Sequence, residues 1–162
     1  MDLLAIVRGL ILVLVANGAP VLAHRILGAW GAFPIDFRAR FVDGARVLGS
    51  SKTIRGVFVS IIATSLAAPL LGLSWPVGAL AAAAAMAGDS LSSFIKRRLK
   101  LPAQSMAPGL DQAPECLLPL LVCKSALDLS VADVLLATLL FWICVAGLSR
   151  ALFNLRIRER PY

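Results

Sequence analysis

A carboxylate stands where an apolar helix tolerates charge least. The alanine-rich run "LAAAAAMA" at 80–87 leads straight into Gly88-Asp89, and Lys96, Arg97, Arg98 and Lys100 follow. The run looks built to disappear into lipid. On a helix, Asp89 then lies about two turns inside the cationic end, roughly 10 Å at 1.5 Å per residue. Insertion scales charge an ionised residue deep in a membrane about 2.5–3.5 kcal/mol, so such a residue faces a cavity or a partner. Asp89, Ser93, Lys96 and Arg97 fall at i, i+4, i+7 and i+8 and share one helical face. Two expectations follow together: a membrane helix, and a polar site built into it. Arg98 and Lys100 read more simply, as a basic helix end snorkelling to the headgroups.

The composition agrees. Of 162 residues, 59% are hydrophobic and 15% charged, and the mean hydropathy is +0.86. Ordinary soluble domains carry about a quarter charged residues, and a chain this short cannot bury so much apolar surface as a globule in water. The net charge of +7 fits basic cytoplasmic loops or an anionic substrate; nucleic acid is not expected as a partner. Cys116, Cys123 and Cys144 lie in apolar stretches without metal-ligand spacing and read as free packing residues.

A crossing needs about 20 apolar residues. The fold expected is an all-α integral membrane protein, a single domain over 1–162, with about five transmembrane helices and two functional cytoplasmic loops. The predicted segments are 3–27, interrupted at Asn17-Gly18-Ala19-Pro20; 53–73; 75–97; 114–124, too short to cross alone; and 131–155. Asp2 rather than a basic stretch precedes the first run, which outlasts a signal peptide, so it is expected to stay as a helix. An outside N-terminus puts every cation except Arg8 and Lys124 on the cytoplasmic side, together with the tail "RIRERPY".

Pro20 removes the hydrogen bond that would reach the Ala16 carbonyl. A broken helix at membrane depth is tolerated where it lines a cavity or packs on protein. Asn17 is therefore expected to hold a phosphate or ribose hydroxyl, or to bond to a neighbouring helix. The first loop contains Gly44-x4-Gly49-Ser50-Ser51-Lys52-Thr53, which is two residues too long for a Walker A motif and follows no strand. Its chemistry is comparable: Gly49 frees the backbone, Lys52 and Arg55 neutralise phosphate, and Thr53 caps the second helix. Arg38, Arg40 and Arg46 suit anionic headgroups. In the second loop, Pro108-Gly109 marks a turn. Asp111 reads either as an N-cap or, with Asp89, as part of a hard-cation site. Mg²⁺ favours a few carboxylates plus substrate phosphates, and a pair of metal ions can clamp the oxygens of nucleotidyl transfer.

The stretches "NGAP", "PID", "DGARVLGSSKTIRG", "SFIKRR" and "GLDQ" together resemble the archaeal CDP-archaeol synthases, distant relatives of the CDP-diacylglycerol synthases. The resemblance covers nearly the whole chain. The wider pattern S-x-x-K-R…D-x-x-D is partly present as Ser93-Phe94-Ile95-Lys96-Arg97 and Asp111, but its last acid is replaced by Pro114; either Glu115, beside it, substitutes, or Asp89 with Asp111 suffices. The resemblance implies transfer of CMP from CTP to an isoprenoid glycerol phosphate lipid within the bilayer. It implies Mg²⁺ on Asp89 and Asp111, with a second metal site open to Mg²⁺ or K⁺. Asn17, Gly49, Lys52, Thr53, Arg55 and Ser93 would bind substrate, and Lys96 and Arg97 would hold the lipid phosphate or the leaving pyrophosphate. The competing readings are a CDP-diacylglycerol synthase acting on phosphatidic acid, a small transporter or channel with Asn17 and Asp89 on an ion path, and a structural subunit. The oligomeric state is left open.

Overall fold

The computed structural model describes residues 2–101, 107 and 109–154. Pro108, the tail "RIRERPY" and the last residue of the fifth predicted segment lie outside the described residues. Within them the chain forms α1 (Leu3–Leu27), α2 (Ile54–Leu70), α3 (Trp75–Arg98), α4 (Gln112–Val122) and α5 (Val131–Asn154). Among the described residues β-pairing is limited to two isolated bridges in and around the first loop, Pro34 with Thr53 and Arg40 with Arg46. The helices fall where the hydropathy placed them, with ends moved by a few residues. Among the described residues, α1 and α3 are long and apolar enough to cross a membrane, and α5 carries a further apolar stretch over Val131–Gly147. At 17 and 11 residues, α2 and α4 are shorter.

Local chemistry explains several ends. Asp2 caps α1 by accepting the Ala5 N–H at 3.1 Å, and Thr53 caps α2 through the Gly56 N–H at 3.1 Å. The interruption expected at Asn17–Pro20 is not a break, because α1 runs through Pro20. The ring removes one donor, and the Ala16 carbonyl so released accepts the Ser60 hydroxyl of α2 at 2.7 Å.

α3 is the centre of the bundle and packs against α1, α2 and α4. One face of its alanine run packs inside the protein: Ala81, Ala82 and Ala85 are buried, while Ala83 and Ala87 are exposed. Small side chains at this position let neighbouring backbones come close. A Cβ on Gly78 would lie 2.3 Å from the Thr64 carbonyl oxygen of α2, and one on Gly88 would lie 2.2 Å from the Pro114 carbonyl oxygen of α4. Larger side chains, among them Ile6, Leu12, Leu120, Val134 and Phe141, close the seam between α1, α4 and α5. The outer face is apolar as well. Phe58, Ile62, Leu66 and Leu70 recur every fourth residue along α2 and are each more than half exposed, a stripe that suits lipid rather than water. Both polar loops meet at one end, where the last turns of α1 and α3 adjoin the first turns of α2 and α4.

The Gly88 contact is testable. Gly88→Ala drives a methyl into backbone, an overpacking expected to cost about 1–3 kcal/mol and to lower the thermal midpoint in detergent. Gly18→Ala, with nothing within 4 Å of the new methyl, should leave it unchanged or raise it. Equal midpoints for the two variants would show that α3 and α4 separate easily.

Candidate active site

The first loop is organised around one buried side chain. Asp36 accepts the N–H groups of Arg38, Leu48 and Gly49, each at 3.1 Å, and the Arg46 guanidinium at 2.7 Å. Burial by itself pushes this carboxyl up. The Arg46 guanidinium and the Gly49, Leu48 and Arg38 amides overcome that and hold it at about 2, below its ordinary 3.8. Gly49 reaches Asp36 with φ at +107°, a backbone conformation that glycine adopts without strain. Arg55 ties down the start of the loop, donating to the carbonyls of Trp30 and Gly28.

Folded in this way, the loop forms one wall of a cavity of about 580 Å³. Asn17, Pro20 and His24 of α1, Lys52 and Thr53 at the end of the loop, Asp89 of α3 and Glu115 of α4 all line it. Lys52 Nζ lies 2.5 Å from Asp89 Oδ2, so the deep carboxylate is ion-paired across the cavity wall. Glu115 feels the charges of Asp89, Lys52, Asp111 and Lys96. The Asn17 amide nitrogen is buried without a hydrogen-bond partner among the described residues, a donor left for something in the cavity. A second cavity of about 330 Å³ borders the first at Ser50 and is lined by Arg46, Gly49, Arg97 and Lys100.

The structure thus brings Asn17, Lys52, Thr53, Arg55 and Asp89 to one cavity, and Gly49 and Arg97 to its neighbour. Ser93, Lys96 and Asp111 line neither of them. Ser93 is buried, and Lys96 Nζ holds Asp111 Oδ1 at 2.7 Å. Asp111 does not act as the N-cap of α4. It precedes the helix with helical backbone angles and no capping bond, and its carboxylate instead accepts the Ala107 N–H at 3.0 Å. Arg55 lines the cavity with its donors committed to backbone carbonyls, so it anchors the loop as well as facing the site. Arg98 does not snorkel: its guanidinium lies against the rings of Phe41 and Phe94, which touch each other.

Glu115, offered by the sequence as a stand-in for the acid missing at 114, lines the cavity. Two residues were not singled out from the sequence. Asp36 sits in "PID", where only the resemblance marks it. Arg98 sits at the end of a basic run and is masked by its neighbours.

A helical bundle with an apolar outer belt and, at one end, a cavity where Lys52 and Arg55 share the wall with Asp89 and Glu115 defines a membrane protein with a charged site. Comparison with known proteins narrows this class. A family model described as "CarS-like: CDP-archaeol synthase" matches residues 2–78 and 73–162, and the chain belongs to the CDP-archaeol synthase family. It is 36% identical over 153 residues to the CDP-archaeol synthase of Pyrobaculum calidifontis, with 91% of each chain covered. It is 34% identical over 158 residues to that of Sulfurisphaera tokodaii, covering 92% of this chain and 90% of the relative. A solved structure of an intramembrane enzyme for archaeal membrane lipid biosynthesis superimposes with a TM-score of 0.75 at 28% identity, covering 87% of this chain and 90% of the other.

The depressed pKa of Asp36 carries a pH signature. A carboxyl lowered on folding contributes stability that is complete above its unfolded value and is lost as pH falls through its folded value. Amide protection at Leu48 and Gly49, read by hydrogen exchange, should hold above the ordinary 3.8 and collapse as pH falls through about 2. Asp36→Asn should weaken protection at neutral pH and abolish that step. A step of the same size in the variant would assign it to another group.

Proposed function

We propose that the chain transfers CMP from CTP to the phosphate of an isoprenoid ether glycerolipid, releasing pyrophosphate, and that CTP occupies the cavity between α1, the first loop and α3. The observation that carries this reading is the gathering of Asn17, Lys52, Thr53, Asp89 and Glu115 from four parts of a family member's chain into one cavity. A lipid phosphate oxygen attacks the α-phosphorus, the bond to the β-phosphate oxygen breaks, and pyrophosphate carries away the electron pair. The lipid phosphate is already nucleophilic near neutral pH, so positioning and charge neutralisation do most of the work.

Lys52, Thr53 and Arg55 cradle the triphosphate, and the Asn17 amide donates to a ribose hydroxyl or a phosphate. Arg97, in the adjoining basic cavity, takes the lipid phosphate or the leaving pyrophosphate together with Lys96, while Gly49 and Ser93 shape the surrounding walls. The donor set fits a hard cation that arrives with the nucleotide. Among the described residues no group of three or more His, Cys, Asp or Glu side chains forms a ready cage. Asp89 and Glu115 share the cavity, and Mg²⁺ is commonly held by a few carboxylates plus phosphates. Asp89 would hold the ion. Glu115 supplies the acid missing at position 114, and Asp111 joins as its Lys96 partner turns to phosphate; a second position suits Mg²⁺ or K⁺. When bound, the metal neutralises charge on the phosphate oxygens.

The apolar belt and the placement of both loops at one end support a multi-pass membrane protein whose N-terminus lies outside and whose site opens to the cytoplasm. The lipid tails then lie between helices. The confinement of the paired charges to one end speaks against an ion path across the bilayer.

Purified protein given radiolabelled CTP, Mg²⁺ and digeranylgeranylglycerol phosphate should yield a chloroform-soluble CDP-lipid that EDTA suppresses. Phosphatidic acid should be the poorer acceptor; product from phosphatidic acid alone would reassign the lipid. Asp89→Asn should lower turnover by on the order of 100-fold or more. It should also weaken Mn²⁺ binding in the presence of CTP, followed by paramagnetic resonance. Undiminished Mn²⁺ binding would remove Asp89 from the metal site.

A further inference from the structure

We propose that Arg98 is a positioning residue for CTP, one that touches no substrate and sets the shape of the nucleotide cavity by clamping the first loop to the end of α3. Its guanidinium carbon lies 4.6 Å from the Phe41 ring centroid and 4.9 Å from that of Phe94. The two rings meet edge to face with centroids 5.5 Å apart. Phe94 belongs to α3 and Phe41 to the loop, so the cation joins the two. The same guanidinium uses its edge on the loop alone: Nε lies 3.1 Å from Asp43 Oδ2, and Nη2 donates to the Arg46 carbonyl at 2.9 Å.

The lobe it grips is closed on itself. Phe41 N–H donates to the Ala45 carbonyl at 2.8 Å, Asp43 accepts the Ala45 N–H at 3.0 Å, and Arg40 donates to the Gly44 carbonyl at 3.0 Å. From this lobe the connection to the cavity is continuous. Arg46, whose carbonyl Arg98 holds, binds Asp36 with its side chain, and Asp36 holds the Leu48 and Gly49 amides. The next four residues, Ser50, Ser51, Lys52 and Thr53, are cavity wall. Arg98 itself lines neither cavity. Removing it therefore loosens the wall and leaves the charges that face substrate in place. Lysine is no substitute, because a guanidinium spreads its charge over a broad group that can lie against both rings while separate nitrogens reach Asp43 and the Arg46 carbonyl, and a compact ammonium cannot reach all four.

The inference rests on CTP occupying that cavity, so the test carries its own reference. Initial rates of the purified enzyme would be measured with CTP varied at saturating lipid phosphate and the reverse, for Arg98→Met, Arg98→Lys, Phe41→Leu and Lys52→Ala. Arg98→Met is expected to raise the KM for CTP about tenfold, with kcat within about twofold and the KM for lipid unmoved. Arg98→Lys should behave like Arg98→Met. Phe41→Leu, which leaves α3 untouched, should give a smaller rise of about threefold and keeps the question open to decision if the Arg98 variants fold poorly. Wild-type KM in Arg98→Lys, or a fall in kcat at unchanged KM for CTP, would overturn the clamp. A raised KM in Lys52→Ala alone would overturn the clamp and leave the cavity reading standing. An unmoved KM in Lys52→Ala would sink the cavity reading and the clamp with it.

Discussion

The ion pair between Lys52 and Asp89 is the constraint around which the rest is arranged. Asp89 is half-buried at the wall of the cavity, where a carboxylate without a partner is costly, and Lys52 supplies that partner. Asp89 cannot be satisfied from its own helix, since the cations of α3 lie at its end. The first loop must therefore fold back over the mouth of the bundle and deliver Lys52 to within 2.5 Å. The pair is also exchangeable. With CTP in the cavity as proposed, a phosphate would take Lys52 and a cation Asp89, so the contact that closes the empty site would also mark where charge enters it.

Holding that loop is a problem in backbone satisfaction. It contributes no helix or strand of its own, so its N–H groups need other acceptors. Asp36 accepts three of them and a guanidinium, Arg55 binds two carbonyls at the loop's start, and Thr53 caps the helix at its end. Side chains do here what a sheet ladder does elsewhere. The loop can remain a binding surface while its cavity-facing residues stay in fixed register.

The helices were legible in the sequence because hydropathy and length report directly on spans, and α1 matches its predicted bounds at both ends. The interruption at Pro20 was misread because the rescue of the Ala16 carbonyl comes from Ser60, on another helix; proline signals the lost bond but not its replacement. The alanine run was read only in part, for a related reason: Ala83 and Ala87 face outward, but Ala81, Ala82 and Ala85 pack inside the bundle. Apolar composition does not tell lipid from neighbouring helix, and only the close approaches at Gly78 and Gly88 show that alanine here makes room for backbone. The charged residues Lys52 and Asp89 were legible as a site because a deep charge demands an explanation. Asp36 and Arg98 were not, since each acts through partners far along the chain that follow no spacing rule.

The departure at Pro114 shows how helix packing and chemistry are coupled. α4 begins against Gly88, where the Pro114 carbonyl meets α3 so closely that no Cβ fits between them. A proline there gives up an amide hydrogen that the first turn of a helix would leave unbonded in any case, and it stiffens the crossing. Glu115, the next residue, then faces the cavity beside Asp89. A shift of one position along a helix turns a side chain by about 100°, since a full turn takes 3.6 residues. The close contact at Gly88 fixes the rotation of α4 against α3, so the glycine beside Asp89 and the proline opposite it place the Glu115 carboxylate as firmly as its own position in the chain does.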